Sequence, residues 1–299
     1  MKFRLRLISY VPLLTALWAC SPSVQPTLTP TSAPSPTATT ISTSTPIPPP
    51  PTETSTATPL ACLSQPGRVE TGTVEETKPP QEFIIYLPPC YDKKQDERYP
   101  VLYLLHGQTY TDNQWVRLGA VETADRLILS GEAPSFMIVF PDDRYWNVPS
   151  GAGFGGRVID HLIPYVDRNY RTIPDRENRA IGGMSRGAGW ALRLGLTRWD
   201  LFSSLGLHSL AAFLDDRPML KRWLGVIPPE SLPRIYMDSG ENDRELGDNL
   251  EFLDILSELG IPYEWHLNAG EHDERYWSAH VEDYLRWYVA GWGPNPVEQ

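Results

Sequence analysis

The chain has 299 residues and a formal net charge of −11 at pH 7. Its first fifth differs so strongly in composition from the rest that roughly 240 residues remain to build a folded domain. The acidic balance argues against nucleic acid as a partner. The sequence shows no cluster of residues with metal-ligand spacing, so we expect neither a metal nor an organic cofactor.

Residues 1–19 have the pattern of an export signal. Basic residues at the start precede an apolar run over residues 7–19, as in secretory signals. This run is too short to span a bilayer as a helix. The tetrapeptide that ends at Cys20 resembles the lipobox of bacterial lipoproteins, whose cysteine is lipidated. We therefore predict an extracellular lipoprotein anchored to the membrane through Cys20, with an ordinary secreted protein as the alternative.

Residues 20–60 consist mainly of Ser, Thr, Pro and Ala, with Glu53 as the only charged side chain. Such a segment cannot bury enough apolar surface to offset the entropy of ordering the chain. We predict a disordered tether, in which proline-rich stretches extend at about 3.1 Å per residue. The predicted folded domain then covers residues 61–299.

Two further cysteines, Cys62 and Cys90, flank the first strand region of this domain. Because an exported domain folds in an oxidising compartment, a disulfide between them is one interpretation. Two free thiols are the other, since the sequence does not supply the geometry that a disulfide needs.

Short β-rich runs alternate with helical patterns from about residue 66 to the end of the chain. This alternation predicts an α/β domain with a central, mostly parallel eight-stranded sheet flanked by helices. The expected strands cover residues 67–75, 82–87, 100–105, 135–140, 179–184, 201–207, 233–238 and 263–267. The run at 101–105 is continuously apolar, as in strands that are buried on both faces.

Helical spacing of apolar residues is clear in three places. It extends over 158–170, over 246–253 ahead of a C-terminal cap at Gly260, and over 284–288. Pro164 lies inside the first of these patterns. A proline there predicts a kink or an end of the helix.

The segment Gly183-Met184-Ser185-Arg186-Gly187 joins an apolar strand to a helical pattern. The motif G-x-S-x-G in that context predicts a nucleophile elbow. A catalytic hydroxyl must stand clear of its sheet so that a histidine can take its proton, and Ser185 is the candidate nucleophile. The alternative is a glycine-rich turn without chemistry.

An oxyanion hole is expected to need two backbone N–H groups beside Ser185. Arg186, at the start of the following helix, supplies the first. The second should come from the loop after the third strand, where Gln108 is our candidate and Thr109 the second choice. We interpret His106, which begins this loop, as a residue that orients it.

The acid and the base should follow the serine in that order along the chain. After the next-to-last strand come Asp238, Glu241 and Asp243, of which Asp243 lies far enough into the loop to reach a histidine. We interpret Asp238 as a brace and Glu241 as a solvated residue. His272, in the loop after the last strand, is the candidate general base. His280 lies within the closing helix and is interpreted as a surface residue.

Five side chains are candidates for contacts with the substrate near the mouth of the expected pocket. The aromatic ones are Tyr110, Trp115, Tyr145 and Trp146, which could stack on an aryl or sugar ring. His208, which follows the sixth strand, is the fifth. The alternative for each aromatic residue is a place in the core, because a chain with ten tryptophans must bury some of them.

Over residues 66–292 the chain contains motifs that resemble those of the putative-esterase family of the α/β-hydrolase superfamily. These motifs are residues 99–107, 162–167 and 179–185, the segment Gly270-Glu271-His272-Asp273, and Trp277. That family includes feruloyl esterases, esterase D, enterochelin esterases and the mycolyltransferases. The resemblance implies the α/β-hydrolase fold and the triad already derived, and it accounts for Pro164 within its helix.

The chain departs from the family pattern at two positions. Arg186 stands where the family usually has methionine, and Ser209 stands where it usually has glycine. Neither change removes a catalytic atom, because the donor at Arg186 belongs to the backbone.

The resemblance implies a serine esterase that hydrolyses carboxylic esters through an acyl-enzyme on Ser185. Export on a tether favours carbohydrate-linked or feruloyl esters as substrates, by analogy with the family. An acyltransferase with the same triad remains an alternative, as does a surface binding lipoprotein without catalysis. The sequence does not indicate an oligomeric state.

Overall fold

A computed structural model describes residues 61–293. The predicted signal, the predicted tether and Cys20 lie outside the described residues. Between residues 61 and 293, no helix combines the length and the apolar character needed to cross a membrane.

Within the described residues, eight strands form one sheet. The strands are β1 (Arg68–Val74), β2 (Gln81–Leu87), β3 (Val101–Leu105), β4 (Met137–Pro141), β5 (Arg179–Met184), β6 (Ser204–His208), β7 (Arg234–Gly240) and β8 (Glu264–Asn268). Their order in the sheet is β1-β2-β4-β3-β5-β6-β7-β8. The pairs β1–β2 and β2–β4 are antiparallel, and all other neighbours run parallel. The expected mostly parallel sheet is therefore confirmed.

Helices cover both faces of the sheet. They are α1 (Gln114–Arg117), α2 (Ala120–Leu129), α3 (Phe154–Gly156), α4 (Ile163–Asn169), α5 (Arg186–Thr197), α6 (Leu220–Val226), α7 (Leu246–Glu258) and α8 (Glu274–Val289). Residues of α2 and α8 contribute to one hydrophobic cluster, and residues of α4, α5, α6 and α7 contribute to the other.

Strand β3 shows why the central runs of the sequence are continuously apolar. Val101, Tyr103 and Leu105 belong to one hydrophobic cluster, while Leu102 and Leu104 belong to the other. Successive side chains of a strand point to opposite faces, and here both faces are covered. The parallel strands also bring their carboxyl ends to one edge of the sheet, where the loops that follow them meet.

The disulfide between Cys62 and Cys90 has Cα atoms 5.1 Å apart. It ties the segment ahead of β1 to the loop between β2 and β3. This link fixes the beginning of the domain to its antiparallel edge.

The observed elements differ from the expected ones mainly at their ends. Strand β6 begins at Ser204 rather than at 201, because the Leu201 N–H donates to the carbonyl of Arg198 and closes a turn instead of joining the sheet. The buried residue Phe202 made this turn look like a strand. Helices α1, α2, α3 and α6 were not predicted from the spacing of apolar residues.

The helical pattern predicted over 158–170 is interrupted near Pro164. A π-helical turn at Arg157–Leu162 leads into α4, and Pro164 occupies the second position of α4. The first turn of a helix has N–H groups without a helical partner, so the missing N–H of proline costs little there. The interruption that local rules predict is thus accommodated at a junction between two helical segments.

Candidate active site

Ser185 lies between β5 and α5 in a strained backbone conformation. Its φ of 54° and ψ of −123° fall outside the regions that residues with side chains normally adopt. Strain of this kind concentrates at functional sites. A Cβ at Gly183 would meet the carbonyl carbon of Gly187 at 2.5 Å, and a Cβ at Gly187 would collide with the backbone of Leu105. Glycine at both positions therefore lets the turn close this tightly.

His272 reaches Ser185 from the loop between β8 and α8. Its Nε2 lies 2.8 Å from Ser185 Oγ, and its Nδ1 lies 2.8 Å from Asp243 Oδ1. An ionised carboxylate can only accept, so Nδ1 carries the proton and Nε2 presents its lone pair to the hydroxyl. The imidazole is therefore placed to take the proton of the serine.

Asp243 follows β7 and is held by a second hydrogen bond. Its Oδ1 accepts from the Glu245 N–H at 2.7 Å as well as from His272. Burial raises the pKa of Asp243, but the hydrogen bonds from His272 and the Glu245 N–H outweigh burial and hold this pKa below its ordinary value of 3.8. The carboxylate is thus ionised at neutral pH and fixes the orientation of the histidine.

Trp277, in the first turn of α8, closes one side of the His272 ring. The two ring centres lie 5.0 Å apart with their planes at 82°. The indole Nε1 donates to Ser209 Oγ at 3.0 Å, which anchors the tryptophan to the loop after β6. The sequence analysis recognised Trp277 only as part of a motif and gave it no role. Its edge-to-face contact limits how far the imidazole can rotate.

The loop after β3 brings Gln108 to the cavity that Ser185 and Arg186 also line. The Gln108 N–H makes no hydrogen bond to another described residue, so it is available to a substrate oxygen. The Arg186 N–H lies at the first position of α5, where N–H groups lack a partner within the helix. The two expected oxyanion donors therefore belong to residues that line one cavity.

Two buried side chains set the shape of the loop after β3. His106 Nε2 accepts from the Asp143 N–H at 2.8 Å, so its Nδ1 carries the proton and donates to the Gly107 carbonyl at 2.8 Å. Gln114 Oε1 accepts from the Gly107 N–H at 2.8 Å, and its Nε2 donates to Glu274 at 3.1 Å. His106 thus holds the loop, in line with its interpretation. Gln114, which the sequence analysis missed, ties the loop to the start of α8.

A cavity of about 1090 Å³ opens above Ser185. His272 and Tyr110 line it, together with Phe213 from the loop after β6. Tyr110 is 37% exposed, and its position agrees with the predicted place at the pocket mouth. A cavity of this size can hold both the acid and the alcohol part of an ester.

A buried carboxylate stands behind the cavity wall. Asp143 Oδ2 accepts from Arg186 Nε at 2.8 Å and from Trp190 Nε1 at 2.9 Å. Burial raises the pKa of Asp143, and the charge and hydrogen bond of Arg186 only partly oppose this effect. The sequence analysis did not identify this residue, because its role depends on contacts between β4 and α5 that no local motif shows.

Two of the predicted pocket residues lie in the core instead. Trp115 is 1% exposed, belongs to α1 and donates through Nε1 to the Leu105 carbonyl at 2.9 Å. His208 is fully buried and stacks on Tyr284 of α8. The prediction that these two residues contact the substrate is wrong, because both pack against α8 away from the cavity.

Tyr145 and Trp146 lie half-buried in the turn after β4 and are not part of the cavity lining. The ring of Tyr145 faces Arg157, whose guanidinium carbon lies 5.7 Å from the ring centre. Val148 of the same loop does line the cavity. Contact of Tyr145 and Trp146 with a substrate therefore stays a prediction.

The remaining candidates occupy places that agree with their interpretations. Asp238 lies within β7, fully buried, and accepts from the hydroxyls of Tyr276 and Tyr284 at 2.7 Å each, so it acts as a brace. Glu241 is exposed. His280 is half-buried on α8, where its ring lies 4.7 Å from that of Tyr276 and its Nδ1 lies 3.3 Å from Asp283 Oδ2.

Among residues 61–293, no three His, Cys, Asp or Glu side chains converge in an arrangement that could hold a metal ion.

The sequence model of a family described as "Putative esterase" matches residues 75–288. An endo-1,4-beta-xylanase/feruloyl esterase of Xylanibacter ruminicola is 28% identical over 211 residues, which cover 67% of this chain and 28% of that protein. An acetyl esterase of Caldicellulosiruptor saccharolyticus is 26% identical over 231 residues, covering 64% of this chain and 84% of the relative. The chain thus spans little more than a quarter of the first relative.

A solved structure of a ferulic acid esterase superimposes on this chain with a TM-score of 0.68 and 26% identity. The match covers 76% of this chain and 100% of the other. The similarity therefore extends over nearly all of the described residues.

Proposed function

Because the chain belongs to the Putative esterase family over residues 75–288, we propose that this esterase acts through an acyl-enzyme formed on Ser185. The α/β-hydrolase fold expected from the sequence is confirmed by the family match and by the ferulic acid esterase structure. The observation that carries the proposal is the chain of contacts from Ser185 Oγ through His272 to Asp243, at 2.8 Å for each step. It lies at the base of a cavity that is open to substrate.

In the first half of the reaction, His272 Nε2 takes the proton of Ser185 and the serine oxygen attacks the ester carbonyl carbon. The carbonyl oxygen becomes an oxyanion and accepts hydrogen bonds from the N–H groups of Arg186 and Gln108. His272 then gives its proton to the alcohol oxygen, the ester C–O bond breaks and the alcohol leaves. The acyl group stays on Ser185.

In the second half, a water molecule takes the place of the alcohol. His272 removes a proton from the water, and the resulting oxygen nucleophile attacks the acyl carbonyl. When the oxyanion collapses, the bond to Ser185 breaks, the serine recovers its proton from His272 and the carboxylic acid leaves. Asp243 stabilises the imidazolium that forms in both halves and keeps the required tautomer of His272.

Feruloyl or carbohydrate-linked esters are the substrate class that we assign to the site. The names of the relatives support this assignment, since they describe a xylanase/feruloyl esterase, an acetyl esterase and a ferulic acid esterase. Phe213 lines the same cavity as Ser185 and offers aromatic surface for a planar acyl group. The large cavity also leaves room for a sugar on the alcohol side.

Reaction with a fluorophosphonate probe tests the serine mechanism. The full-length protein is expected to become labelled, and Ser185→Ala is expected to lose both labelling and the hydrolysis of methyl ferulate. Ser278→Ala serves as the matched control, because Ser278 is exposed on α8 and outside the cavity lining. A folded wild type that stays unlabelled, or a Ser185→Ala variant that labels like wild type, would overturn the proposal.

Export and anchoring through Cys20 are the second part of the proposal. The signal pattern of residues 1–19 supports it, and the disulfide between Cys62 and Cys90 suits an oxidising compartment. In a bacterial host, the wild type should fractionate with membranes, whereas Cys20→Ala should not. Equal membrane association of both chains would contradict the lipid anchor.

A further inference from the structure

Arg186, directly after the nucleophile, presents donors without acceptors in the cavity wall. Its Nε donates to Asp143 Oδ2 at 2.8 Å, while its two Nη groups make no hydrogen bond to any described residue. The side chain keeps 15% of its surface exposed, and Arg186 is one of the residues that line the cavity. One edge of the guanidinium is therefore fixed by Asp143, and the other is left for a ligand.

The guanidinium of Arg186 lies close to two aromatic rings in this wall. Its carbon lies 5.2 Å from the ring centre of Phe213 and 5.8 Å from that of Trp190. Arg193 lies 4.7 Å and 5.0 Å from the same two rings. The two aromatic rings meet edge to face with centres 5.1 Å apart. A wall built in this way favours a planar ring as its ligand.

The charges of this wall are already balanced within the protein. Asp143 pairs with Arg186, and Asp216 accepts from Arg193 at 2.6 to 3.0 Å. An anionic group placed at Arg186 would also lie close to the carboxylate of Asp143, and the repulsion would offset much of its attraction to the guanidinium. The Nη donors therefore suit uncharged oxygen acceptors.

We propose that Arg186 selects aromatic acyl groups that carry oxygen substituents on the ring. This inference rests on the proposed function, since it assigns the acyl part of the ester to the wall beside Ser185. The ring lies against Phe213, and its phenolic or methoxy oxygen accepts a hydrogen bond from Arg186. Methionine, the residue usual at this position in the family, offers contact area but no donor.

A pair of matched esters tests the proposal. Methyl ferulate and methyl cinnamate share the same acyl skeleton, and only the first has oxygen atoms on its ring. In Arg186→Met, the ratio of kcat/KM for ferulate to that for cinnamate should fall roughly tenfold or more, because one charge-assisted hydrogen bond is lost. In Arg186→Lys the ratio should fall less, since a single donor remains. The ratio cancels any change that both substrates share.

Two further variants control for structural effects. Arg186→Met leaves the buried Asp143 without its main partner, so the double variant with Asp143→Asn removes the unpaired charge and should show the same low ratio. Arg244→Met is the matched control, because it removes an exposed guanidinium from the mouth of the same cavity. Its ratio should stay within about twofold of wild type.

Unchanged ratios in both Arg186→Met and the double variant would overturn the inference. A second result would also overturn it. If wild type prefers the anionic ester monomethyl terephthalate over methyl ferulate, and Arg186→Met loses this preference, the site recognises charge. An enzyme that is labelled at Ser185 and hydrolyses both methyl esters, but shows unchanged ratios, contradicts this inference alone. A protein that is neither labelled nor active contradicts the proposed function itself.

Discussion

The protein contains two histidine–aspartate pairs that are nearly identical in local geometry. His272 Nδ1 lies 2.8 Å from Asp243 Oδ1, and His208 Nδ1 lies 2.7 Å from Asp238 Oδ1. All four residues lie at or just beyond the carboxyl ends of the parallel strands. The pairs differ in what the second nitrogen of each histidine meets. His272 Nε2 meets the hydroxyl of Ser185 in an open cavity, whereas His208 Nε2 meets a tyrosine hydroxyl at 3.1 Å in the core.

We call His208 and Asp238 the inner pair, and His272 and Asp243 the outer pair. The inner pair is enclosed by tyrosines of α8. Asp238 Oδ2 accepts from Tyr276 and Tyr284 at 2.7 Å each, and the ring of Tyr284 stacks on His208 with centres 3.7 Å apart. Burial raises the pKa of Tyr284 and Tyr288 well above the ordinary value of 10, so both hydroxyls stay protonated. No substrate can reach this pair. A histidine and a carboxylate in contact are therefore insufficient for catalysis without an accessible nucleophile.

The inner pair supports the outer one through the backbone. The Ser185 N–H donates to the His208 carbonyl at 2.9 Å, and the Ser209 N–H donates to the Asp238 carbonyl at 2.8 Å. The strained turn at Ser185 is thus attached to a fully buried polar cluster. This arrangement supports the proposed chemistry at one pair and gives the other a role in positional support.

The largest effect is expected from the outer pair. His272→Ala removes the proposed general base and should lower kcat for p-nitrophenyl acetate by about 10⁶-fold, the scale of losses for bases in serine triads. The free energy of unfolding should fall by only about 1–3 kcal/mol, because the buried Asp243 loses one of its two hydrogen bonds. Kinetics and thermal melting of the same preparation measure the two effects. A loss of less than a hundredfold would show that another group acts as the base.

The opposite pattern is expected from the inner pair. Asp238→Ala leaves His208 Nδ1 and two tyrosine hydroxyls without their acceptor, which should lower the free energy of unfolding by about 3–5 kcal/mol. The corresponding fall in Tm is about 10 °C. The folded fraction should keep most of its kcat, because no atom of Asp238 touches the reacting groups.

Asp238→Asn is the control for this experiment, because an amide keeps one acceptor and nearly the same volume. It should lose less stability than Asp238→Ala. If Asp238→Ala melts like wild type but loses its activity as His272→Ala does, the assignment of the two pairs is reversed.

The sequence distinguished the two pairs only in part. Ser185, Asp243 and His272 could be chosen as candidates because the fold places a triad in a fixed order after successive strands, and a short glycine motif marks the turn. The structure brings these three side chains into contact. His208 also follows a strand, so by position alone it looked like a pocket residue. Its burial depends on Tyr284 and on α8, whose packing against the sheet no local pattern reveals.

The fold could be predicted wherever the sequence contains long apolar runs. The residues that line the cavity could not be predicted in this way. Strand β3 reads as a buried strand because all of its residues are apolar. Trp115 lies among turn-forming residues, yet the short helix α1 directs it into the core. The cavity wall combines Asp143 with Phe213, which come from the loops after β4 and β6. Such contacts between distant loops depend on tertiary packing, which leaves no periodic signal in the sequence.

The smallest expected effect is the pH dependence of stability at the outer pair. The pKa of Asp243 in the folded protein lies below its ordinary value of 3.8, because the hydrogen bonds from His272 and the Glu245 N–H outweigh burial. A depressed carboxyl pKa contributes stability that is present above the unfolded pKa and is lost as the pH falls through the folded one. Asp243→Asn lacks this contribution. Its Tm should therefore lie a few degrees below that of wild type at pH 6, by about 2–4 °C for each kcal/mol of lost unfolding free energy. The difference should shrink between pH 4 and pH 2.

Because all other carboxyl groups are common to both chains, their titration cancels in this difference. A difference in Tm that stays constant from pH 6 to pH 2 would mean that Asp243 is not held in its ionised form by the histidine.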